Sequence, residues 1–267
     1  VNKPEPPTWD SDEGDGQLYV FLGWHIKKYG DLEWNFDDKV NEDLVLYAHW
    51  DYRDEFASGT KDNPKKLDKE GLETLRERVN GGNSFKDSYF ILDADIDLDE
   101  SWIPIGTDGN RFEGNFDGGE GELLITASDA QPLFGFIGES GTLTNVEIEA
   151  SWSGMNIRGE STSRMKQYGA LAEENRGLIQ GCMVSLTLDG QAGFANIGAV
   201  AGRNGGRIED THAVVEMEIE ITSGDGGVIT KDERKVCTAS IGGIAGYNFK
   251  NSVISNSASE GEITVTG

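Results

Sequence analysis

The amino-acid sequence predicts a mainly β protein in which short strands stack in parallel as a solenoid. Three observations predict this class. A glycine followed six residues later by an asparagine occurs three times in the second half of the chain. Each copy continues into a segment that alternates between apolar and polar residues, as a strand with one buried face does. The 36 glycines among 267 residues suit many tight turns between short strands.

The first fifty residues differ from the rest and predict a separate unit over residues 1–58. An aromatic-x-Gly-Trp segment, a Trp-x-Phe segment and a Val-Leu-Tyr-Ala-x-Trp segment follow one another there. These residues are Phe21, Gly23 and Trp24, then Trp34 and Phe36, then Val45, Leu46, Tyr47, Ala48 and Trp50. The series resembles the Listeria-Bacteroides repeat, a small β-grasp-like module of bacterial surface proteins. The resemblance implies an extracellular spacer or adhesion context.

One helix is predicted at about residues 67–80, near the start of a second unit over residues 59–267. Four apolar residues recur there at helical spacing, and Gly81-Gly82 ends the run. The four are Leu67, Leu72, Leu75 and Val79. Because a helix just before a stack of strands covers the exposed end of the apolar interior, we expect it to act as an N-terminal cap.

The three repeats read YGALAEENRG, IGAVAGRNGG and IGGIAGYNFK, and their glycines are 29 and 44 residues apart. The loop-like segment 223–235 is predicted to be the insertion that lengthens the second interval. The glycine and asparagine of each repeat are Gly169 and Asn175, Gly198 and Asn204, and Gly242 and Asn248.

The strand after each repeat has a predicted inward phase. Small residues stand at its start in all three copies, so we expect the strands to stack in register. The inward residues are Cys182, Val184, Leu186 and Leu188, then Thr211, Ala213, Val215, Met217 and Ile219, then Ser257, Ser259, Gly261, Ile263 and Val265.

Further motifs arrive in order between the helix and the repeats. They are Asp95 to Leu98; Pro104, Ile105 and Gly106; Phe112, Gly114, Phe116, Asp117 and Gly118; and Phe134 with Gly135. Together with the repeats, they resemble the β-helical segments of bacterial surface proteins that carry the GLUG motif, including the region before the catalytic domain of streptococcal immunoglobulin A1 metalloproteases. The resemblance implies a right-handed parallel β-helix. Glu173 departs from it, because the other repeats have Gly202 and Gly246, so we expect a relaxed turn there.

Composition excludes several classes of function. The net charge of −25 is unsuited to nucleic acid, which requires clustered Lys and Arg. No apolar run is long enough for a transmembrane helix, so we predict no membrane insertion within this fragment, and no signal peptide opens it. Two cysteines do not make a disulfide framework, and a Cys182–Cys237 bridge is left open. We expect a monomer, and further repeats or another domain in the parent protein.

Catalytic signatures are missing from the sequence. It contains no H-E-x-x-H helix, no G-x-S-x-G elbow and no phosphate-binding loop. Asp93, Asp95 and Asp97 are candidates for a polysaccharide-acting site, with a solvated outer face as the alternative. No cofactor is predicted, although the Asp- and Gly-rich segments 93–100 and 106–122 leave calcium open.

We therefore predict a module that is not an enzyme and that lies on the bacterial cell surface, outside the cell. Its expected work is adhesion or display of a surface that binds a host or matrix glycan or protein. Trp102, Trp152 and Tyr247 are the candidate ligand-binding residues, with packing against neighbouring residues as the alternative for each. A polysaccharide-acting β-helix enzyme and a purely structural spacer are the other two hypotheses.

Overall fold

The structure is a computed structural model that describes residues 18–26, 34–40, 43–53, 59–119, 123–222, 228–229, 235–236 and 239–267. The chain forms two compact units, Val1–Ser58 and Gly59–Gly267. Within the described residues it is mainly β, with parallel sheets and one α-helix. That helix has 12 residues, and no helix in the described ranges has the length and apolar character needed to cross a membrane.

The first unit contains an antiparallel strand pair. Strand β1 (Leu18–His25) pairs with β2 (Tyr47–Arg53), and Phe21 lies opposite Trp50. The register shifts between Phe21 and Gly23, where Gly23 has a φ of 150°. The backbone N–H of Trp34 donates to the carbonyl oxygen of Trp24 at 2.7 Å. The β-grasp-like identity of this unit stays a prediction.

Helix α1 (Lys69–Asn80) follows the short strand β3 (Lys65–Leu67). It begins after Asp68, whose carboxylate accepts a hydrogen bond from the Gly71 N–H at 2.9 Å and satisfies one of the free donors of the first turn. The helix ends at Asn80, whose side chain holds the segment around residues 104–106: its Nδ2 donates to the Pro104 carbonyl and its Oδ1 accepts from the Gly106 N–H. The apolar face is fully buried, comprising Leu72, Leu75 and Val79.

Seven further strands precede the repeats. They are β4 (Tyr89–Leu92), β5 (Ile96–Leu98), β6 (Asn115–Asp117), β7 (Leu124–Ser128), β8 (Phe134–Ile137), β9 (Thr142–Thr144) and β10 (Glu147–Arg158).

Each repeat then contributes four strands. Repeat A (166–193) contains β11 (Lys166–Tyr168), β12 (Ala172–Asn175), β13 (Leu178–Gln180) and β14 (Met183–Gly193). Repeat B (195–221) contains β15 (Ala195–Gly198), β16 (Ala201–Asn204), β17 (Arg207–Glu209) and β18 (His212–Ile221). Repeat C (239–266) contains β21 (Ala239–Gly242), β22 (Ala245–Asn248), β23 (Val253–Ser255) and β24 (Ala258–Thr266). The predicted insertion between B and C holds an antiparallel pair, β19 (Val228–Ile229) with β20 (Lys235–Val236).

These strands form four parallel sheets, and each sheet contains one strand from each repeat. The first-strand sheet runs β11-β15-β21, and the second-strand sheet runs β8-β12-β16-β22. The third-strand sheet runs β3-β4-β6-β9-β13-β17-β23, and the fourth-strand sheet runs β5-β7-β10-β14-β18-β24. Equivalent positions pair in register: Cys182 N donates to Thr211 Oγ1 at 3.4 Å, and Thr211 N donates to Ser257 Oγ at 3.2 Å. The predicted stacking of these three small residues is confirmed.

The repeated asparagines form a hydrogen-bonded ladder inside the second-strand sheet. Asn175 Nδ2 donates to Asn204 Oδ1 at 2.9 Å, and Asn204 Nδ2 donates to Asn248 Oδ1 at 2.7 Å. Two of these amides also close their own turns, since the Gly177 and Gly206 N–H groups donate to Asn175 and Asn204. Asn175 and Asn204 are fully buried, so these bonds meet the need of buried amides for partners.

The inward phase of the fourth strands is confirmed for repeats A and B. Leu186, Leu188 and Met217 are at most 2% exposed, whereas Met183 in the outward phase is 52% exposed. In repeat C the inward Val265 is 49% exposed, because β24 is the edge strand of its sheet within the described residues. The core before the repeats is aromatic, with Phe85, Phe90, Phe112, Phe116 and Phe134 in a chain of ring contacts at 5.1–6.2 Å.

Candidate binding cleft

The structure separates the three candidate ligand-binding residues. Trp102 is 4% exposed, and its Nε1–H donates to the Pro132 carbonyl at 3.1 Å. Trp152 is 1% exposed and packs edge-on against Tyr168 with ring centroids 4.7 Å apart. Both tryptophans therefore take the packing role, and neither offers an exposed ring to a ligand. Tyr247 is 47% exposed.

Tyr247 lines an open cleft of about 490 Å³, within the range usual for ligand sites. Two columns of side chains, each running across three repeats, face this space. Strand pairing aligns the first column on the first-strand sheet and the second on the second-strand sheet. We call this space the side cleft, defined by Gln167, Asn196 and Ser240 in the first column and Glu174, Arg203 and Tyr247 in the second.

Glycines between the columns allow the two sheets to approach each other. A Cβ on Gly202 would lie 2.3 Å from the backbone N of Tyr168, and one on Gly246 would lie 2.4 Å from that of Ile197. The second strand of a repeat thus passes against the first strand of the repeat before it. No residue with a side chain fits there without displacing backbone. Gly202 and Gly246 therefore allow the close approach at which the side cleft forms.

Glu173 takes the place in repeat A that Gly202 and Gly246 take in the other repeats. Its side chain is accommodated because β11 is the edge strand of the first-strand sheet within the described residues, so no preceding first strand lies against it. Its carboxylate accepts a hydrogen bond from Lys166 Nζ at 2.5 Å. The position at which repeat A departs from the glycine of the other repeats therefore holds an ion pair.

Glu174 is the buried charge of the cleft. Its side chain is 0% exposed and is surrounded by three guanidinium groups. Arg111 Nη1 lies 3.3 Å and Arg176 Nε 2.5 Å from Oε1, while Arg203 donates to Oε2. Burial alone would raise the pKa of Glu174, but the hydrogen bonds from Arg203 and Arg176 outweigh it and lower that pKa. The carboxylate is therefore ionised at neutral pH.

Two buried polar atoms at the cleft have no hydrogen-bond partner among the described residues. Oδ1 of Asn196 is one, although Nδ2 of the same amide donates to Gln167 Oε1 at 2.9 Å. Nε of Arg203 is the other. Asn196 as a whole is 5% exposed. A buried acceptor and a buried donor without partners each cost free energy. Binding of a ligand that supplies the missing hydrogen bonds would account for both atoms.

The mouth of the cleft is aromatic. Tyr247 and Phe249 meet edge to face at 5.4 Å and are 47% and 38% exposed. The guanidinium of Arg203 lies 5.1 Å from the Phe249 ring centroid, a cation–π contact that fixes the arginine over the ring. Of the residues that line this site, the sequence predicted a ligand-binding role for Tyr247 alone. Glu174 and Arg203 could have been predicted to lie beside it, because the three residues take equivalent positions in the three repeats.

The acidic candidates are held in structural contacts. Asp93 pairs with Lys66 at 2.7 Å, Asp95 Oδ1 accepts from the Leu124 N–H, and Asp97 Oδ1 accepts from Thr126 Oγ1. In the part of the chain that the structure describes, no three His, Cys, Asp or Glu side chains gather as a metal site would require. Cys182 is a buried free thiol, while Cys237 lies outside the described residues.

Comparison with known families identifies the last repeat. The third repeat matches the GLUG motif. The match covers residues 238–266, a range that includes the whole of repeat C. The resemblances to the Listeria-Bacteroides repeat and to the immunoglobulin A1 metalloproteases stay predictions.

One relative among curated proteins is the "Putative Gly-rich membrane protein" of Evansella cellulosilytica. It is 31% identical over 143 residues, which cover 49% of this chain and 15% of the relative. This chain thus matches a small part of a much longer protein. No solved structure matches.

Proposed function

We propose that the chain is a non-catalytic module of a bacterial surface protein, located outside the cell, whose work is adhesion through the side cleft. Its second unit is a right-handed parallel β-helix with helix α1 as the N-terminal cap. The GLUG match and the name of the Evansella relative support a surface-associated setting. The Listeria-Bacteroides-like first unit fits the same setting as a spacer.

One observation carries the binding role. Equivalent strands of the three repeats align in register, so that two columns of unlike side chains face each other across a cleft of about 490 Å³. In a spacer without a ligand, buried polar atoms without partners would only lower the stability of the fold. Asn196 Oδ1 and Arg203 Nε are two such atoms in the described part of the chain.

The carboxylates of the cleft argue against glycoside hydrolysis. That reaction needs two carboxyl groups of different pKa, one of them protonated as a general acid. Glu174 has a lowered pKa and three arginine partners, and Asp108 pairs with Arg111 at 2.5 Å. Glu174 is therefore unsuited to the role of general acid at neutral pH, and the carboxylate of Asp108 is held in an ion pair.

Array binding tests the proposal. The purified chain is applied to immobilised glycans and extracellular-matrix proteins, with and without millimolar calcium, next to Tyr247→Ala and to Met183→Ala, an exposed position on another sheet. We expect selective binding that Tyr247→Ala weakens and Met183→Ala preserves. Binding to no probe would favour the spacer. New reducing ends or unsaturated sugars in the supernatant would favour the enzyme.

A further inference from the structure

Charges around the side cleft are already paired. Arg111, Arg176 and Arg203 surround Glu174, and Lys166 pairs with Glu173. Arg164 at the rim pairs with Glu160 at 2.8 Å. An anionic ligand would compete with Glu174 and Glu173 for these cations, and the net charge of −25 would repel it further. The site therefore favours an uncharged ligand.

The two atoms without partners require opposite chemistry. Asn196 Oδ1 accepts a hydrogen bond, and Arg203 Nε donates one. A hydroxyl group serves both, because it donates through its hydrogen and accepts through its lone pairs. Both atoms are buried, so a side chain that lines the side cleft has to rotate before a ligand can reach them. Such side-chain rotations are common on binding. A ligand rich in hydroxyl groups meets this requirement.

The aromatic mouth supplies the apolar part of the site. Tyr247 is half exposed, and Phe249 holds its ring edge-on. A sugar ring has an apolar C–H face that packs on an aromatic ring, while its hydroxyl groups point outwards from the rim. A few placed polar groups beside an aromatic surface are the usual composition of a small-molecule site.

We infer that the side cleft binds an uncharged oligosaccharide, which stacks a sugar ring on Tyr247 and exchanges hydroxyl hydrogen bonds with Asn196 and Arg203. This inference rests on the proposed adhesive function and specifies the ligand of the same site.

Three sets of probes test the inference on the full chain. One set contains neutral oligomers of glucose, N-acetylglucosamine and mannose, the second contains uronic-acid oligomers of the same length, and the third contains immobilised matrix proteins. Titration calorimetry then measures affinity for the strongest neutral oligomer. We expect Tyr247→Ala and Asn196→Ala each to weaken it at least tenfold, Tyr247→Phe to bind more tightly than Tyr247→Ala because the ring remains, and Met183→Ala to bind like the parent chain.

Each of the other outcomes would contradict one part of the inference. Binding to matrix proteins or uronic-acid oligomers alone, sensitive to Tyr247→Ala, would overturn the uncharged sugar and leave the adhesive cleft standing. Neutral oligomers bound with the same affinity by all variants would place the sugar elsewhere and overturn the assignment to the cleft. Thermal unfolding of Asn196→Ala checks that the variant is folded, and the half-exposed Tyr247 supplies the independent readout.

Discussion

At Gly202 the side chain is a hydrogen atom because a neighbouring backbone occupies the place of a Cβ. The approach of the second strand of repeat B to the first strand of repeat A depends on this contact, and the side cleft forms where these strands meet. Glycine is costly in a strand because it loses more conformational entropy on folding than other residues. Glycine is present here because a larger side chain would collide with the neighbouring backbone, and not only because glycine favours turns.

Gly202→Ala should destabilise the chain strongly. The added Cβ would meet the backbone N of Tyr168 at 2.3 Å, so one of the two strands must move, at a cost of about 3 kcal/mol. Gly109→Ala is the matched control, since nothing lies within 4 Å of its Cβ. Urea unfolding of both variants measures the difference. Equal midpoints would contradict the close approach of the two strands.

Cys182 should be unreactive until the chain unfolds. Burial raises the pKa of its thiol to about 12, so the thiolate that reacts with disulfide reagents is scarce at pH 8. In a Cys237→Ser background we expect labelling only in denaturant. Because the unfolded thiol ionises near pH 8.5, this group stabilises the fold below that pH and the contribution is lost as pH rises towards 12. Rapid labelling of the native chain would contradict its burial.

At the scale of elements, the alternation along each strand decided which side chains are buried. Trp152 continues the inward phase of Ile148 and Ala150 on β10, so the pattern itself contained the reason for its burial. Because alternation is a property of a few neighbouring residues, the sequence predicts it well. The same holds for helix α1, which starts at Lys69 where about residue 67 was expected.

The fourth strand of repeat B offers a paired test of that phase. Val215 is 5% exposed and Val214 is 43% exposed, so Val215→Asp buries a charge and Val214→Asp does not. We expect a loss of about 4 kcal/mol for the first. The second should cost at most about 1 kcal/mol, because Glu260 lies beside it on β24. Similar losses in chemical unfolding would mean that the phase is wrong.

The side cleft was less accessible to prediction because it depends on how two sheets meet. Aligning the repeats places Glu174, Arg203 and Tyr247 in one column, and this much was open to sequence reasoning. Arg111 reaches Glu174 from 63 residues earlier in the chain, through a loop that belongs to no repeat. Trp102 lies outside any alternating strand, and its contacts come from the Pro132 carbonyl and from the Arg76 guanidinium, which lies 5.3 Å from its ring centroid. Such contacts are long-range and have no local signal.

At the scale of the whole molecule, acidity dominates. The 48 acidic residues exceed the 23 basic ones by 25, and some carboxylates are brought together by the register itself. Glu216 on β18 lies directly beside Glu262 on β24. Like charges at paired positions destabilise a sheet and keep its outer surface soluble. The fold thus carries a net electrostatic cost at low salt.

Salt should therefore stabilise the chain without specificity. Raising NaCl from 20 to 500 mM shortens the Debye length to a few ångströms and screens the repulsion. We expect the melting temperature to rise by about 2–4 °C, as a gain of about 1 kcal/mol gives in a domain of this size. KCl at equal ionic strength is the control. A saturable rise with micromolar calcium, at constant ionic strength, would instead reveal a specific cation site.

The side chain of Glu173, in a position where the later repeats have glycine, makes the two ends of the row of repeats unequal. A duplicated repeat that joined the row between B and C would bring its own glycine to each contact with a preceding first strand. The same unit placed ahead of repeat A would set a first strand against Glu173, whose Cβ would then meet backbone as an alanine at Gly202 would. Tandem duplication is thus tolerated behind repeat A and penalised in front of it. The copy number of this array can grow from one side only.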